Sequence, residues 1–225
     1  MKKTKNPALA QKRRIAFLDF DNTITKSDCL DNIIARFSYD KRWIQLEEKW
    51  KRGEIGSRDC LKGQMKCVRI SKRALDRYLA TVKLDPYFKK LIKLLGKKKV
   101  ETIILSDNFD YILRRILRAE TFGNLNIFAN KLGFAKDRLI PDFPFGKKDC
   151  TFCGHCKTSN LLENVDRDST IFFIGDGLSD ICPAQYADIV FAKQDLLAYY
   201  KNNKAHCLPF KGLKDVYDYF KRSQK

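Results

Sequence analysis

The chain has 225 residues, 44% of them hydrophobic, and carries 45 Lys and Arg against 27 acids for a formal net charge of +18. This supplies a sizeable core for one large domain, or for a domain with an insert. No apolar run reaches membrane length, and the basic opening MKKTKNPALAQKRR lacks the apolar stretch of a secretory signal. The chain therefore reads as cytoplasmic, with no membrane partner and a solvated lead-in.

Ile15 to Phe20 is apolar, short and bounded by polar residues, and predicts a buried strand. Four helical stripes follow. Leu30, Ile33, Ile34 and Phe37 make the first, and Trp43, Leu46 and Trp50 the second. Leu61, Met65 and Val68 follow Ser57 as N-cap, and Leu75, Tyr78, Leu79 and Val82 follow Ser71 as N-cap. No strand pattern interrupts residues 28 to 84. Asp85-Pro86 opens a fifth helix, with Pro in its first turn and Gly96 as its stop.

From there the chain alternates. Val100 to Leu105 predicts a strand, Ile112 to Leu117 a helix, and Asn126 to Ala129 a short strand; residues 131 to 155 read as irregular. Thr158 to Val165 is helical, Thr170 to Ile174 a strand, and a Gly-Asp-Gly turn leads into a helix ending near Tyr186. Asp188 to Ala192 is a strand, a helix follows, His206 to Leu208 is a further strand, and Leu213 to Phe220 ends the chain as an amphipathic helix. Alternating strands and helices imply an α/β fold with a Rossmann-like, doubly wound parallel sheet. The expected core is residues 1–27 and 85–225. Residues 28–84 form an inserted helical cap over the carboxyl ends of the strands, where such sheets bind ligands.

Three of these strands end in reactive polar residues: Asp19, Asp21 and Thr23 in FLDFDNT, Ser106 and Asp107 in IILSDN, and Asp176 and Asp180 in IGDGLSD. Lys157 opens a helix between the last two. Parallel strands would bring all of them to one end of the sheet. Clustered carboxylates repel unless a cation sits among them, which implies Mg²⁺ on hard oxygen ligands. One carboxylate can attack phosphorus and form an aspartyl-phosphate. A second can protonate the leaving alcohol and then deprotonate the water, while a lysine and a hydroxyl neutralise and orient the phosphoryl group.

DFDNT resembles the first motif, D-x-D-x-T, of the haloacid dehalogenase-superfamily phosphatases. Ser106, Lys157 and GDGLSD resemble the second, third and fourth, in the expected order, over about residues 13 to 222. The resemblance implies Asp19 as nucleophile, Asp21 as general acid/base, and Asp19, Asp21 (through its carbonyl), Asp176 and Asp180 at a Mg²⁺ site. It places Thr23, Ser106, Asp107 and Lys157 around the phosphate. The helical insert resembles the cap of the phosphoserine phosphatase-like branch, and Asp21 favours phosphatase over dehalogenase or phosphonatase chemistry. The cysteine-rich FPFGKKDCTFCGHCK and the later FAKQDLL resemble the methionine-salvage phosphatases acting on hydroxy-keto-methylthiopentenyl phosphate. The phosphoethanolamine/phosphocholine phosphatases are similar too. The expected partner is a small anionic phosphorylated metabolite, with phosphoserine a further alternative.

Other readings stand beside these. The +18 charge suits a nucleic-acid binder that has kept the fold, but the basic residues are spread over many segments, no nucleic-acid motif accompanies them, and a phosphate-backbone binder would not want the acid set. Cys29, Cys60, Cys67, Cys182 and Cys207 are scattered and read as reduced thiols. Cys150, Cys153 and Cys156 beside His155 have three readings: loop-packing cysteines, a zinc site short of a fourth ligand, or a redox disulfide. Lys147 or Lys148 could replace Lys157. Asp28, Asp31 and Arg58 either touch substrate or serve as caps and surface charge. Trp43 and Trp50 read as core, and His206 as structural.

Overall fold

Arg14–Leu18 (β1) becomes a strand because Ile15 to Leu18 are all apolar and fully buried. Its alternation serves two cores at once. Ile15 and Phe17 pack with Ile103, Leu105 and Phe173, while Ala16 and Leu18 pack with Ile104, Phe172 and Ile174. This computed structural model describes residues 12–119, 121–147 and 152–223. The basic lead-in up to residue 11, Lys148 and Cys150 lie outside the described residues.

β1 lies between Val100–Phe109 (β2) and Thr170–Gly175 (β5), parallel to both. Asn126–Ala135 (β3) and Arg138–Asp142 (β4) extend the sheet beyond β2; Ile189–Ala192 (β6) and Leu208–Pro209 (β7) extend it beyond β5. The order is β4-β3-β2-β1-β5-β6-β7, parallel except for β4. The winding reverses between β1 and β5, and that is where a doubly wound sheet leaves a crevice at its carboxyl edge.

Four helices separate β1 from β2's approach: Cys29–Phe37 (α1), Arg42–Lys51 (α2), Ser57–Cys67 (α3) and Lys72–Leu79 (α4). An antiparallel bridge between Thr25 and Leu84 ties the segments that lead into and out of them. Ile33, Met65, Leu75 and Leu79 share one apolar cluster with the sheet side, so the helices have no separate core. Phe88–Lys97 (α5), Asp110–Ala119 (α6), Lys157–Glu163 (α7), Ile181–Ala184 (α8), Gln194–Asn202 (α9) and Leu213–Arg222 (α10) complete the chain. No described helix is long and apolar enough to cross a membrane.

Several expectations are corrected. Residues 131 to 142 are not irregular: β3 continues through them and turns back as β4, an antiparallel edge strand that tolerates Pro141. Ser57 does not cap α3; Gly56 holds that place, and the Ser57 hydroxyl accepts the amide of Gly154 instead. Pro86 lies before α5, not in its first turn, and the helix runs through Gly96, with Lys99 taking the left-handed conformation after it (φ 54°). Trp43 packs on the core as expected, but Trp50 lines the cavity described below.

Candidate active site

Asp19 is the first residue past β1, and its amide still pairs with the Ile174 carbonyl of β5. The chain then turns sharply. Asn22 takes the left-handed conformation (φ 56°), and the amides of Ile24 and Thr25 both bond the Phe20 carbonyl. Phe20 is buried, and Asp19 and Asp21 both line one cavity. Thr23 directs its hydroxyl to Asp176 Oδ1 (3.1 Å), so it steadies a carboxylate directly.

Lys157, the first residue of α7, is 3% exposed; its Nζ lies 2.6 Å from Asp19 Oδ1 and 2.7 Å from Asp180 Oδ1. The other Asp180 oxygen accepts the amides of Asp176 and Gly177. Both oxygens of Asp180 thus have partners, and through them it fixes both the lysine and the Gly-Asp-Gly turn. Burial alone would drive Lys157 down, but Asp180 and Asp19 hold it well above its ordinary range, so it is a cation. Burial pushes Asp19 well up, with Asp180 and Asp176 adding to it against the pull of Lys157. Asp176 is raised to about 6, chiefly by burial and then by Asp180.

β2 supplies a third wall. Its ladder shifts register between Ser106 and Phe109, an irregularity of the kind that re-aims side chains next to sites. There the Ser106 hydroxyl accepts the Asn108 amide (3.1 Å). The Asn108 side chain reaches Asp21 Oδ2 (2.8 Å), while the Cys29 amide at the start of α1 bonds Asp21 Oδ1 (2.7 Å). Asp107 also lines the cavity, with one carboxyl oxygen buried and unpaired; burial raises it to about 6. An ionised carboxylate would repel phosphate, so the group Asp107 can offer it is its backbone amide.

The cavity has a volume of about 310 Å³ and is closed on its far side by Asp28, Asp31, Glu47, Trp50 and Gln64 of the helical segment. Glu47 is matched by Lys51 (3.3 Å) and Gln64 (2.9 Å). Arg58 is not in the cavity wall; it lies over the Phe143 ring. Asp28 caps α1, accepting the Asp31 amide, and burial with Asp21 and Asp31 raises it to about 9.

Asp19, Asp176 and Asp180 bring one carboxylate oxygen each to within 4.8 Å of one another. These are hard oxygen donors of the kind a divalent cation takes, and they form a metal-capable group among the described residues. His155 beside the cysteines is otherwise engaged: Nδ1 lies 2.7 Å from the Ser106 carbonyl and Nε2 2.9 Å from the Asn160 amide nitrogen. Sequence reasoning missed the roles of Asn108 and His155. Asn108 had a weak signal, a carboxamide just after an apolar strand; His155 had none.

The profile of the family described as Putative Phosphatase matches residues 14–207. A 2-hydroxy-3-keto-5-methylthiopentenyl-1-phosphate phosphatase from Bacillus pumilus is 28% identical over 191 residues, covering 83% of this chain and 81% of that one. Pdp3-interacting factor 1 of Schizosaccharomyces pombe is 25% identical over 222 residues, 93% of this chain and 96% of its own. Among solved structures, a phospho-aspartyl intermediate analogue of phosphoserine phosphatase superposes with a TM-score of 0.71 at 19% identity, over 93% of this chain and 99% of that one. The phosphoserine phosphatase of T. onnurineus gives 0.68 at 22%, over 95% and 96%.

Proposed function

Since this chain belongs to the Putative Phosphatase family, we propose that its site hydrolyses a small phosphorylated metabolite in the cytoplasm, with Mg²⁺, through an aspartyl-phosphate on Asp19. The observation that carries the reading is the Lys157 ammonium set between Asp19 and Asp180, with Asp176 beside them. A nucleophile, a phosphate-binding cation and a metal-capable acid set stand within one cavity.

An Asp19 oxygen attacks phosphorus, and the bond from phosphorus to the ester oxygen breaks. Asp21 in its acid form gives its proton to the departing alkoxide. Water then attacks the aspartyl-phosphate, Asp21 takes that water's proton, and the Asp19 carboxylate leaves as inorganic phosphate is released. Asn108 and the Cys29 amide keep Asp21 aimed through both steps. Once Asp19 carries the phosphoryl group, Lys157 turns its charge to the phosphoryl oxygens, with the Ser106 hydroxyl and the Asp107 amide as further donors. Asp19, Asp176 and the Asp21 carbonyl, supported by Asp180, would hold Mg²⁺, which would supply further charge neutralisation.

Helices α1 to α4, residues 28–84, act as a cap that closes the leaving-group side and limits substrate size. The names of the relatives favour 2-hydroxy-3-keto-5-methylthiopentenyl-1-phosphate as the substrate. The test is turnover of p-nitrophenyl phosphate with Mg²⁺ and with chelator, then of a panel holding that ester, phosphoserine, phosphoethanolamine and pyridoxal phosphate. Metal-dependent turnover of a small ester is expected. No turnover of any, beside tight and salt-sensitive DNA binding, would replace this reading with that of a nucleic-acid binder.

A further inference from the structure

We propose that His155 is a positioning residue of the phosphate site, whose imidazole ties the end of β2 to the start of α7 and so fixes Ser106 relative to Lys157. The inference rests on the phosphatase reading above, because it concerns that site's phosphate-binding groups. Ser106 and Lys157 are 51 positions apart and sit on elements of different kinds. α7 is short, and its N-cap Cys156 makes no side-chain cap bond. Something must hold its first turn against the strand.

His155 meets that need. It is 2% exposed, and its Nδ1 lies 2.7 Å from the Ser106 carbonyl. A carbonyl only accepts, so Nδ1 bears the hydrogen and Nε2 is left as an acceptor. Asn160, one turn into α7 and 3% exposed, completes the logic by donating its amide to Nε2 at 2.9 Å, and the same nitrogen bonds the Cys156 carbonyl at 3.0 Å. The ring is braced from the side by Phe145 (centroids 5.4 Å apart), which packs edge-on against Phe128 of β3 (5.7 Å). A chain of contacts thus runs from β2 through His155, two residues before the lysine whose ammonium meets Asp19, to Asn160 of α7. Burial lowers His155 to about 4, so the imidazole stays neutral wherever the site has its acids ionised.

The test uses carboxamides that replace one ring nitrogen each. In His155→Asn the side-chain NH₂ stands where Nδ1 stood and can still reach the Ser106 carbonyl. In His155→Gln it stands where Nε2 stood and cannot. His155→Asn is expected to keep kcat/KM for p-nitrophenyl phosphate within about fivefold of wild type. His155→Gln is expected to raise both KM and the inhibition constant of inorganic phosphate by about tenfold to a hundredfold, by one factor for good and poor leaving groups alike. Equal kinetics in the two variants, with only their melting temperatures lowered, would make His155 a packing residue and overturn the proposal. A second measurement needs no variant to fold. The chain has two histidines, and nitrogen-15 NMR of the wild type should show a buried neutral imidazole protonated at Nδ1; protonation at Nε2 would overturn the proposal equally. If wild type hydrolyses no ester at all, the phosphatase reading fails first, and the tautomer still decides whether the tie exists.

Discussion

Asp19 and Asp21 stand two residues apart, yet their partners differ in kind, which fits the separate roles proposed for them. Asp19 meets the ammonium of Lys157, whereas Asp21 is held by a backbone amide and a carboxamide. Asp19→Asn is therefore expected to abolish turnover and to leave no phosphoenzyme in a rapid quench. Asp21→Asn should retain a slow reaction, about 10²–10⁴-fold down, least impaired with p-nitrophenyl phosphate, whose leaving group needs little protonation. Labelled phosphate appearing on Asp21 would reverse the assignment; circular dichroism melts must first show both variants folded. Asp28 offers a separate check. It caps α1 and sits near 9, so near neutral pH it carries its proton and resembles Asn in charge. Asp28→Asn should cost less than about 0.5 kcal/mol of stability, since Asn caps equally well, while Asp28→Ala should cost about 1 kcal/mol. An equal loss in thermal melts of both variants would show that the cap bond does not matter. The convergence of Asp19, Asp176 and Asp180 could be read from sequence because these acids stand at or just past the ends of apolar strands, and strand ends in a parallel sheet converge. Asn108 and His155 could not, because their partners Asp21 and Ser106 lie 87 and 49 positions away and only the fold brings them together.

At the level of elements, the helical segment is fastened to the sheet side at several places, among them Tyr111 of α6, whose hydroxyl bonds Asp76 of α4 (2.6 Å), and two contacts made by loops. The Ile70 amide bonds the Asp137 carbonyl in the β3–β4 turn. The start of α3 presses against the loop that leads to α7, where the Gly154 amide meets the Ser57 hydroxyl (3.0 Å). Gly56 is required there: a Cβ would stand 2.1 Å from the Phe152 carbonyl oxygen. Gly56→Ala must push the two segments apart and should destabilise by about 1–3 kcal/mol. If the helices close the cavity by this contact, KM should rise more than kcat falls; a variant with unaltered melting and kinetics would show that the contact is dispensable. The long, strongly periodic elements were legible for a physical reason. β1 and β5 carry uninterrupted apolar runs because both their faces are buried, and α6 and α10 carry single apolar stripes. The β3–β4 hairpin was not, because beyond the buried Asn130 β3 alternates exposed and only half-buried residues and reads as Lys-Leu-Gly-Phe, with Gly and Lys diluting the alternation, and Pro141 lies in its partner. The stop of α5 was misplaced because glycine inside a helix costs only about 1 kcal/mol, which the burial of Leu91 and Leu95 offsets.

Across the whole molecule, the net charge and the charge gathered at the cavity floor have opposite signs. The chain carries +18 overall, yet at the crevice between β1 and β5 the cavity floor gathers Asp19, Asp176 and Asp180, with Lys157 paired to Asp19 and Asp180. That excess of carboxylates costs stability when they are ionised. For Asp176 the folded value of about 6 stands above the usual 3.8. Between those values the folded chain holds a proton that the unfolded chain has released. Stability from this group is therefore greatest at and below pH 4, falls as pH rises through about 4 to 6, and is at its lowest above that window. A divalent cation in the same place would do the proton's work, and would bind best where the proton has gone. At a hundredfold excess over its Kd, Mg²⁺ should add about 2.7 kcal/mol at pH 7.5, raising Tm by about 5–10 °C for a chain of this length. The rise should be clearly smaller at pH 5, where protons compete for the same oxygens. Asp176→Asn should diminish the rise at pH 7.5 and remove most of the difference between the two pH values. Scanning calorimetry with Mg²⁺ and with chelator at both pH values measures all of this without any substrate. A shift as large at pH 5 as at pH 7.5, or one untouched by Asp176→Asn, would place the cation elsewhere on the protein and leave the acid cluster without its counter-charge.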